Sequence, residues 1–168
     1  RLYYNENVYR ISETSHTYQE IMQTGLECMG DIGSAETCEV ALLALQSLAL
    51  ISEDYVLDLA HAGLLFALLD AYGLQGEARK RAERALSEKN EDALRAACTD
   101  TQFAILANLI RSGSDNADTL RAIKKICRDA DAEAAFAELA ALYTALEEAG
   151  YAQHIRIDFS VVDAAAYY

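Results

Sequence analysis

The 168-residue sequence contains no proline. Its turns and helix ends must therefore be read from glycine and small polar caps. Positive charge is scarce: 14 Lys and Arg face 27 Asp and Glu, a formal net charge of −13. A surface that grips a phosphate backbone needs clustered basic side chains. The densest run, Arg79-Lys80-Arg81 with Arg84, is interleaved with Glu77, Glu83 and Glu88 and reads as a solvated helix face. Nucleic acid is therefore not expected as a partner. The four cysteines, Cys28, Cys38, Cys98 and Cys127, form no CxxC pair, and no histidine stands at metal-ligand spacing from any of them. Each lies in an apolar pattern and reads as a buried free thiol, which fits a reducing, cytoplasmic setting. His16, His61 and His154 are scattered without a Ser/His/Asp order or a metal pattern, and no Walker-type or Rossmann glycine loop is present. Neither a metal nor a cofactor is expected. No apolar stretch is long and clean enough to span a membrane, and no signal-peptide pattern occurs.

Apolar residues make up 52% of the chain, enough for one compact domain or a core with one insertion. Arg1-Leu2-Tyr3-Tyr4 and Ala166-Tyr167-Tyr168 read as interior segments, so an excerpt of a longer protein is expected.

Val8 to Ile11 reads as a short strand, Ser12 to Thr17 as a polar loop, and Tyr18 to Met29 as a long strand. On the long strand Met22, Leu26 and Cys28 share a core-like face, while Gln23, Gly25 and Glu27 share a polar one. Ser34 is an expected N-cap with Glu36 in the first turn, and Val40, Leu43, Ala44, Leu48 and Ile51 recur at helical spacing. Tyr55 to Ala60 predicts a short strand. Leu64, Leu65, Leu68, Leu69 and Tyr72 predict a helix closed by Gly73. From Gln75 to Gly150 the chain is rich in Ala, Leu, Glu, Arg and Lys and predicts four or five helices, with Thr99 or Asp100, Asp115, and Asp129 or Asp131 as caps. Ile155, Ile157 and Phe159 then alternate with Arg156, Asp158 and Ser160 as a strand. Strands, a helical block and a strand suggest a sheet with an inserted helical subdomain.

The polar face of the long strand carries the candidate chemistry. Gln23 and Glu27 lie four residues apart on one face, their Cα atoms separated by roughly 13 Å. Gly25 between them removes a side chain from the floor and leaves a trough for a small ligand, where a carboxylate suits an ammonium group. Arg10, on the preceding strand, could face the same trough and clamp a phosphate or carboxylate. Spacing alone leaves open an ordinary solvent-facing strand. It equally leaves open a surface ion pair for Arg10, and a core role for Tyr167 and Tyr168.

Four segments together resemble the histidyl-type class II aminoacyl-tRNA synthetases. Arg1-Leu-Tyr-Tyr-Asn-Glu-Asn-Val-Tyr-Arg10 is similar to the opening of their motif 2, and Gln23-Thr-Gly25-Leu-Glu27-Cys-Met-Gly30 to their Q-x-G-x-E-x-x-G strand. Ala35-Glu36 with Glu39-Val40 is similar to the helix start that follows, and Ile157-Asp158-Phe159 leading to Ala166-Tyr167-Tyr168 to the D-x-S…Y-Y segment. The helical block matches in position only. The resemblance implies an α+β fold: part of an antiparallel class II synthetase-type sheet with an inserted all-helical subdomain. Its parts would be 1–74 as the first part of the core, 75–150 as the insertion and 151–168 as the return to the core sheet. It implies that Gln23 and Glu27 bind histidine, with Glu27 on the α-amino group. Arg10 would be the motif 2 arginine, and Tyr167 and Tyr168 would wall the pocket.

Two departures bear on activity. Asp163 stands where the synthetase carries the arginine that assists activation, and an acid there would repel the developing phosphoanhydride charge. The stretch from Ser12 to Gln19 lacks the arginines of the motif 2 loop. The amino-acid half of the site is kept and the phosphate half is lost. That pattern resembles the family's non-catalytic branch, the regulatory subunits of short-form ATP phosphoribosyltransferase. The implied ligand is histidine, the implied partner is the catalytic subunit of that enzyme, and the implied assembly is a homodimer within a hetero-oligomer. The alternative is a divergent histidyl-tRNA synthetase, a histidine–tRNA ligase.

Overall fold

The structure, a computed structural model, describes residues 1–11, 17–111 and 115–162. The chain divides into two compact units, Arg1–Glu53 and Asp54–Tyr168.

The first unit is a hairpin followed by a helix. Strand β1 (Leu2–Ile11) pairs antiparallel with β2 (Tyr18–Glu27), from Leu2 opposite Glu27 to Ile11 opposite Tyr18. Strand β1 is longer than the expected Val8–Ile11 because Asn5, Glu6 and Asn7 disguise its first half as loop. Their backbones nevertheless pair with Thr24, Gln23 and Met22. Strand β2 stops at Glu27, short of the expected Met29. The face bearing Met22 and Leu26 was expected to be core-like, yet Met22 is 72% exposed. The reason is what β1 contributes to that face. Thr24 Oγ1 donates to Asn5 Oδ1 at 2.9 Å and Asn7 Nδ2 to Glu20 Oε1 at 2.6 Å, so a polar lattice lies between the apolar side chains. Helix α1 (Ser34–Ala49) begins one residue earlier than expected, with Gly33 as N-cap in place of Ser34. The Glu36 carboxylate accepts the Gly33 N–H at 3.0 Å, and backbone N–H donation holds its carboxyl below the usual range. Ala41 and Leu45 are the buried positions of this helix.

The second unit opens with β3 (Leu57–Leu59) and α2 (Ala62–Ala71). It continues through α3 (Gly76–Ser87), α4 (Glu91–Ala97), α5 (Asp100–Ile110), α6 (Asn116–Ile126) and α7 (Ala130–Glu148) to β4 (Ile155–Ile157). The helical block thus has five helices among the described residues, within the expected range. Leu64, Leu65, Leu68 and Leu69 of α2 are buried together with Leu106, Ile123 and Phe159 in one core. Gly73, at φ +73°, ends α2: Leu74 N–H reaches Leu69 O at 2.9 Å and Gly73 N–H reaches Asp70 O at 2.9 Å, satisfying the last carbonyls. Of the expected caps, Thr99, Asp115 and Asp129 accept from the starts of α5, α6 and α7. Asn90 and His61 cap α4 and α2 in the same way, without having been expected to.

Three expectations are corrected here. Strand β4 pairs parallel with β3, Leu57 opposite Ile155, so this second pair is not antiparallel. Parallel strands require a long crossover, and the helices α2 to α7 are that crossover. The strand expected to alternate through Ser160 ends at Ile157, and Phe159–Val161 is a 3-10 turn capped by Asp158, whose carboxylate accepts from Ser160 N at 3.0 Å. The positions 74/75 and 150/151, which the resemblance implies as divisions, both lie within the second unit. The four cysteines are free, as expected, but only half-buried. Cys98 and Cys127 are C-cap residues at helix ends, where the chain leaves the core, and partial burial still pushes both thiols up. Among the described residues no helix is long and apolar enough to cross a membrane.

Candidate functional site

The hairpin register decides which side chains share a face. Arg10 stands opposite Gln19, Glu6 opposite Gln23, Tyr4 opposite Gly25 and Leu2 opposite Glu27. Directly opposed residues point to the same side of an antiparallel pair. Arg10, Gln23, Gly25 and Glu27 therefore occupy one face, the one expected to carry the trough.

On that face the polar groups form a short relay. Arg10 Nη2 donates to Gln23 Oε1 at 3.4 Å, and Gln23 Nε2 donates to the Tyr4 hydroxyl at 2.8 Å. The floor at Gly25 is not open. A Cβ there would lie 2.3–2.4 Å from the Tyr4 ring, so the phenol lies flat over the bare backbone. The trough read from Gly25 is thus shallower than expected at its centre, and Tyr4 shares the face with Gln23 and Glu27, which strand spacing alone did not reveal. The signal was present only in the pairing sum: residues whose numbers add to 29 face each other across the hairpin. That sum depends on the turn, which sequence does not specify. Glu27 is exposed at the strand end. Arg1 pairs with Glu39 of α1, which raises the guanidinium pKa and neutralises the rim near the helix start. Tyr167, Tyr168 and Asp163 lie outside the described residues, as do most of the expected polar loop and His16.

The second unit has its own polar cleft, lined by Asp115, Asn116, Tyr143 and Glu147. Its groups already serve the fold. Asn116 Nδ2 donates to Ile155 O at 2.8 Å and its Oδ1 accepts from Ile157 N at 2.9 Å, so one amide edges β4 as a third strand would. Asp115 caps α6, and the Tyr143 hydroxyl donates to Glu147 Oε1 at 3.3 Å. Below β4, the Asp158 carboxylate accepts from Lys89 Nζ at 2.5 Å and from Ser160 N and Oγ at 3.0 and 2.7 Å. Burial alone would raise that carboxyl; the Lys89 and Ser160 donors outweigh it and hold it below the usual carboxylate range. No group of three or more His, Cys, Asp or Glu among the described residues is arranged to hold a metal ion.

Comparison with known proteins gives a consistent picture. The family model described as histidyl-tRNA synthetase matches residues 1–168. A curated relative from Nostoc sp. named ATP phosphoribosyltransferase regulatory subunit is 34% identical over all of this chain, covering 42% of its own length. One of the same name from Clostridium botulinum is 26% identical, again over the whole chain and 42% of the relative. A crystal structure described as an ATP phosphoribosyltransferase regulatory subunit/histidyl-tRNA synthetase from Bacillus halodurans aligns with 99% of this chain and 45% of its own. Its TM-score is 0.80 at 25% identity. The chain therefore spans less than half the length of the curated relatives it matches.

Proposed function

The chain belongs to the histidyl-tRNA synthetase family, and on that premise we propose that it is part of a non-catalytic regulatory subunit of ATP phosphoribosyltransferase in histidine biosynthesis. The fold is a partial class II synthetase-type α+β core. In this reading residues 75–150 are the helical insertion, and the hairpin face is where histidine binds. Gln23 and Glu27 hold the amino acid, Arg10 its carboxylate, and Tyr167 with Tyr168 wall the side-chain pocket. The partner is the catalytic subunit of the short-form enzyme, met by a homodimer within a cytoplasmic hetero-oligomer.

One observation carries the proposal. Gln23 and Glu27, the proposed amino-acid half, lie on one hairpin face together with Arg10, whose Nη2 is 3.4 Å from Gln23 Oε1. In the phosphate half, Asp163 stands where family members that activate histidine carry an arginine. A site of that kind can sense histidine without adenylating it. The names of the full-coverage relatives support the same branch.

Calorimetry on the full-length protein tests the site. Histidine should bind, and Glu27→Ala should abolish binding; unchanged affinity in that variant would remove the assignment. Mixing with a short-form catalytic subunit should stimulate phosphoribosyl transfer and make it histidine-sensitive. The second reading, a divergent histidyl-tRNA synthetase, is favoured by the retained motif 2 arginine, Arg10. It requires histidine-dependent exchange of pyrophosphate into ATP, and a folded full-length sample without exchange excludes it.

A further inference from the structure

We propose that Tyr4 is a positioning residue of the amino-acid site: through its hydroxyl it fixes the Gln23 side-chain amide in the orientation that ligand binding uses. The inference rests on the histidine-binding role proposed for Gln23 and adds a residue to it.

The case begins with a glycine. Gly25 is not among the glycines with positive φ, so its backbone does not demand glycine. What demands it is the neighbour across the ladder. Tyr4 is its direct cross-strand partner, and a Cβ on residue 25 would meet the ring atoms Cζ and Cε1 and the hydroxyl oxygen at 2.3–2.4 Å. Any other residue would drive the ring away. The glycine therefore sets the position of the phenol, and the phenol sets the position of the amide, because Gln23 Nε2 donates to the Tyr4 hydroxyl at 2.8 Å. At the other end Arg10, which can only donate, engages Gln23 Oε1 at 3.4 Å. The amide is thus held by both of its atoms. One Nε2–H is committed to Tyr4 and the other remains for an acceptor on the ligand. The Tyr4 hydroxyl has accepted one hydrogen bond and keeps its own proton to donate.

An aromatic ring over a cross-strand glycine is also a plain device for stabilising a hairpin. The two roles separate chemically. The ring serves the hairpin, whereas the hydroxyl serves Gln23. Tyr4→Phe keeps the first and removes the second.

The test is histidine titration of the full-length protein, followed by calorimetry and paired with thermal melts. Tyr4→Phe should melt with the wild type and bind histidine about tenfold more weakly, as loss of one hydrogen bond implies. In a Gln23→Ala background the same change should shift affinity by less than about twofold, because Tyr4 would have nothing left to orient. Gly25→Ala, which pushes the ring aside, should weaken binding at least as much as Tyr4→Phe and supplies the answer if that variant does not fold. Wild-type affinity in Tyr4→Phe or in Gly25→Ala overturns the proposal. So does an equal loss with and without Gln23, since Tyr4 would then act independently of the amide. Loss of binding in Glu27→Ala with full binding in Tyr4→Phe leaves the functional reading standing and removes only this one. A wild-type protein that takes up no histidine overturns both.

Discussion

The two units spend their polar side chains differently. In the hairpin, Arg10, Gln23, Tyr4, Asn5, Thr24, Asn7 and Glu20 bond to one another across the strands, side chain to side chain, on partly or fully exposed faces. In the helical unit several uncharged polar groups bond instead to backbone, alongside surface ion pairs such as Arg111 with Glu91. Tyr72 donates to Ile126 O at 2.7 Å, Gln102 to Tyr72 O at 2.7 Å, and Asn116 bonds Ile155 O and Ile157 N along one edge of β4. A side chain tied to buried backbone cannot release it without orphaning a polar group. A side chain tied to another at the surface can exchange that partner for a ligand or water at little cost. The helical cleft and the hairpin face are both polar, but Asp115 and Asn116 of the cleft are tied to backbone, whereas Arg10, Gln23 and Tyr4 of the hairpin face bond only to one another among the described residues.

The sharpest way to break this comparison is to delete matched apolar atoms from each unit. Leu68→Ala, at a fully buried position of α2, should cost about 2–5 kcal/mol in urea unfolding. Met22→Ala on the exposed hairpin face should stay within about 0.5 kcal/mol, and comparable losses would erase the distinction. Next in size is Asp158→Asn, which removes a hydrogen-bonded charge and should cost about 1.5–3 kcal/mol at neutral pH. Here the pH dependence is informative. The Asp158 carboxyl is lowered in the fold, so its contribution is complete above the unfolded carboxylate value, about pH 4, and is lost as pH falls through its lower folded value. Melting curves taken down to acid pH should show a steeper loss in the wild type than in Asp158→Asn. Asn116→Ala should cost about 1–3 kcal/mol, with the Ile157 amide exchanging faster with solvent; an unchanged exchange rate would mean the amide is not holding β4. Smallest among these polar changes is Asp129→Ala, which removes the cap of α7 and should lower stability by about 1 kcal/mol in the same unfolding assay.

Much of the helical unit was legible because helical period, caps and glycine stops are local signals. Thr99, Asp115, Asp129 and Gly73 all act where the sequence pattern places them. His61 escaped notice as a cap because histidine is not a habitual one; its Nδ1 accepts from Leu64 N at 3.0 Å only in this local geometry. The first half of β1 escaped because Asn5, Glu6 and Asn7 have poor strand propensity, and the ladder with β2 overrides it. On the candidate face, the grouping of Arg10, Gln23 and Glu27 could be read from residue type and alternation. Tyr4 could not, since its part depends on meeting Gly25 across the turn.

The sequence by itself determined most of the helices, the family and the polar identity of one strand face, because periodicity, capping and motif spacing are written within a few neighbouring residues; the first half of β1 and the 3-10 turn Phe159–Val161 were not legible that way. Tertiary structure alone decided three things. It paired β4 with β3 across about a hundred residues of crossover, buried Asp158 against Lys89, and laid Tyr4 over Gly25. Each joins residues far apart in the chain, where register and packing, rather than local preference, choose the partner.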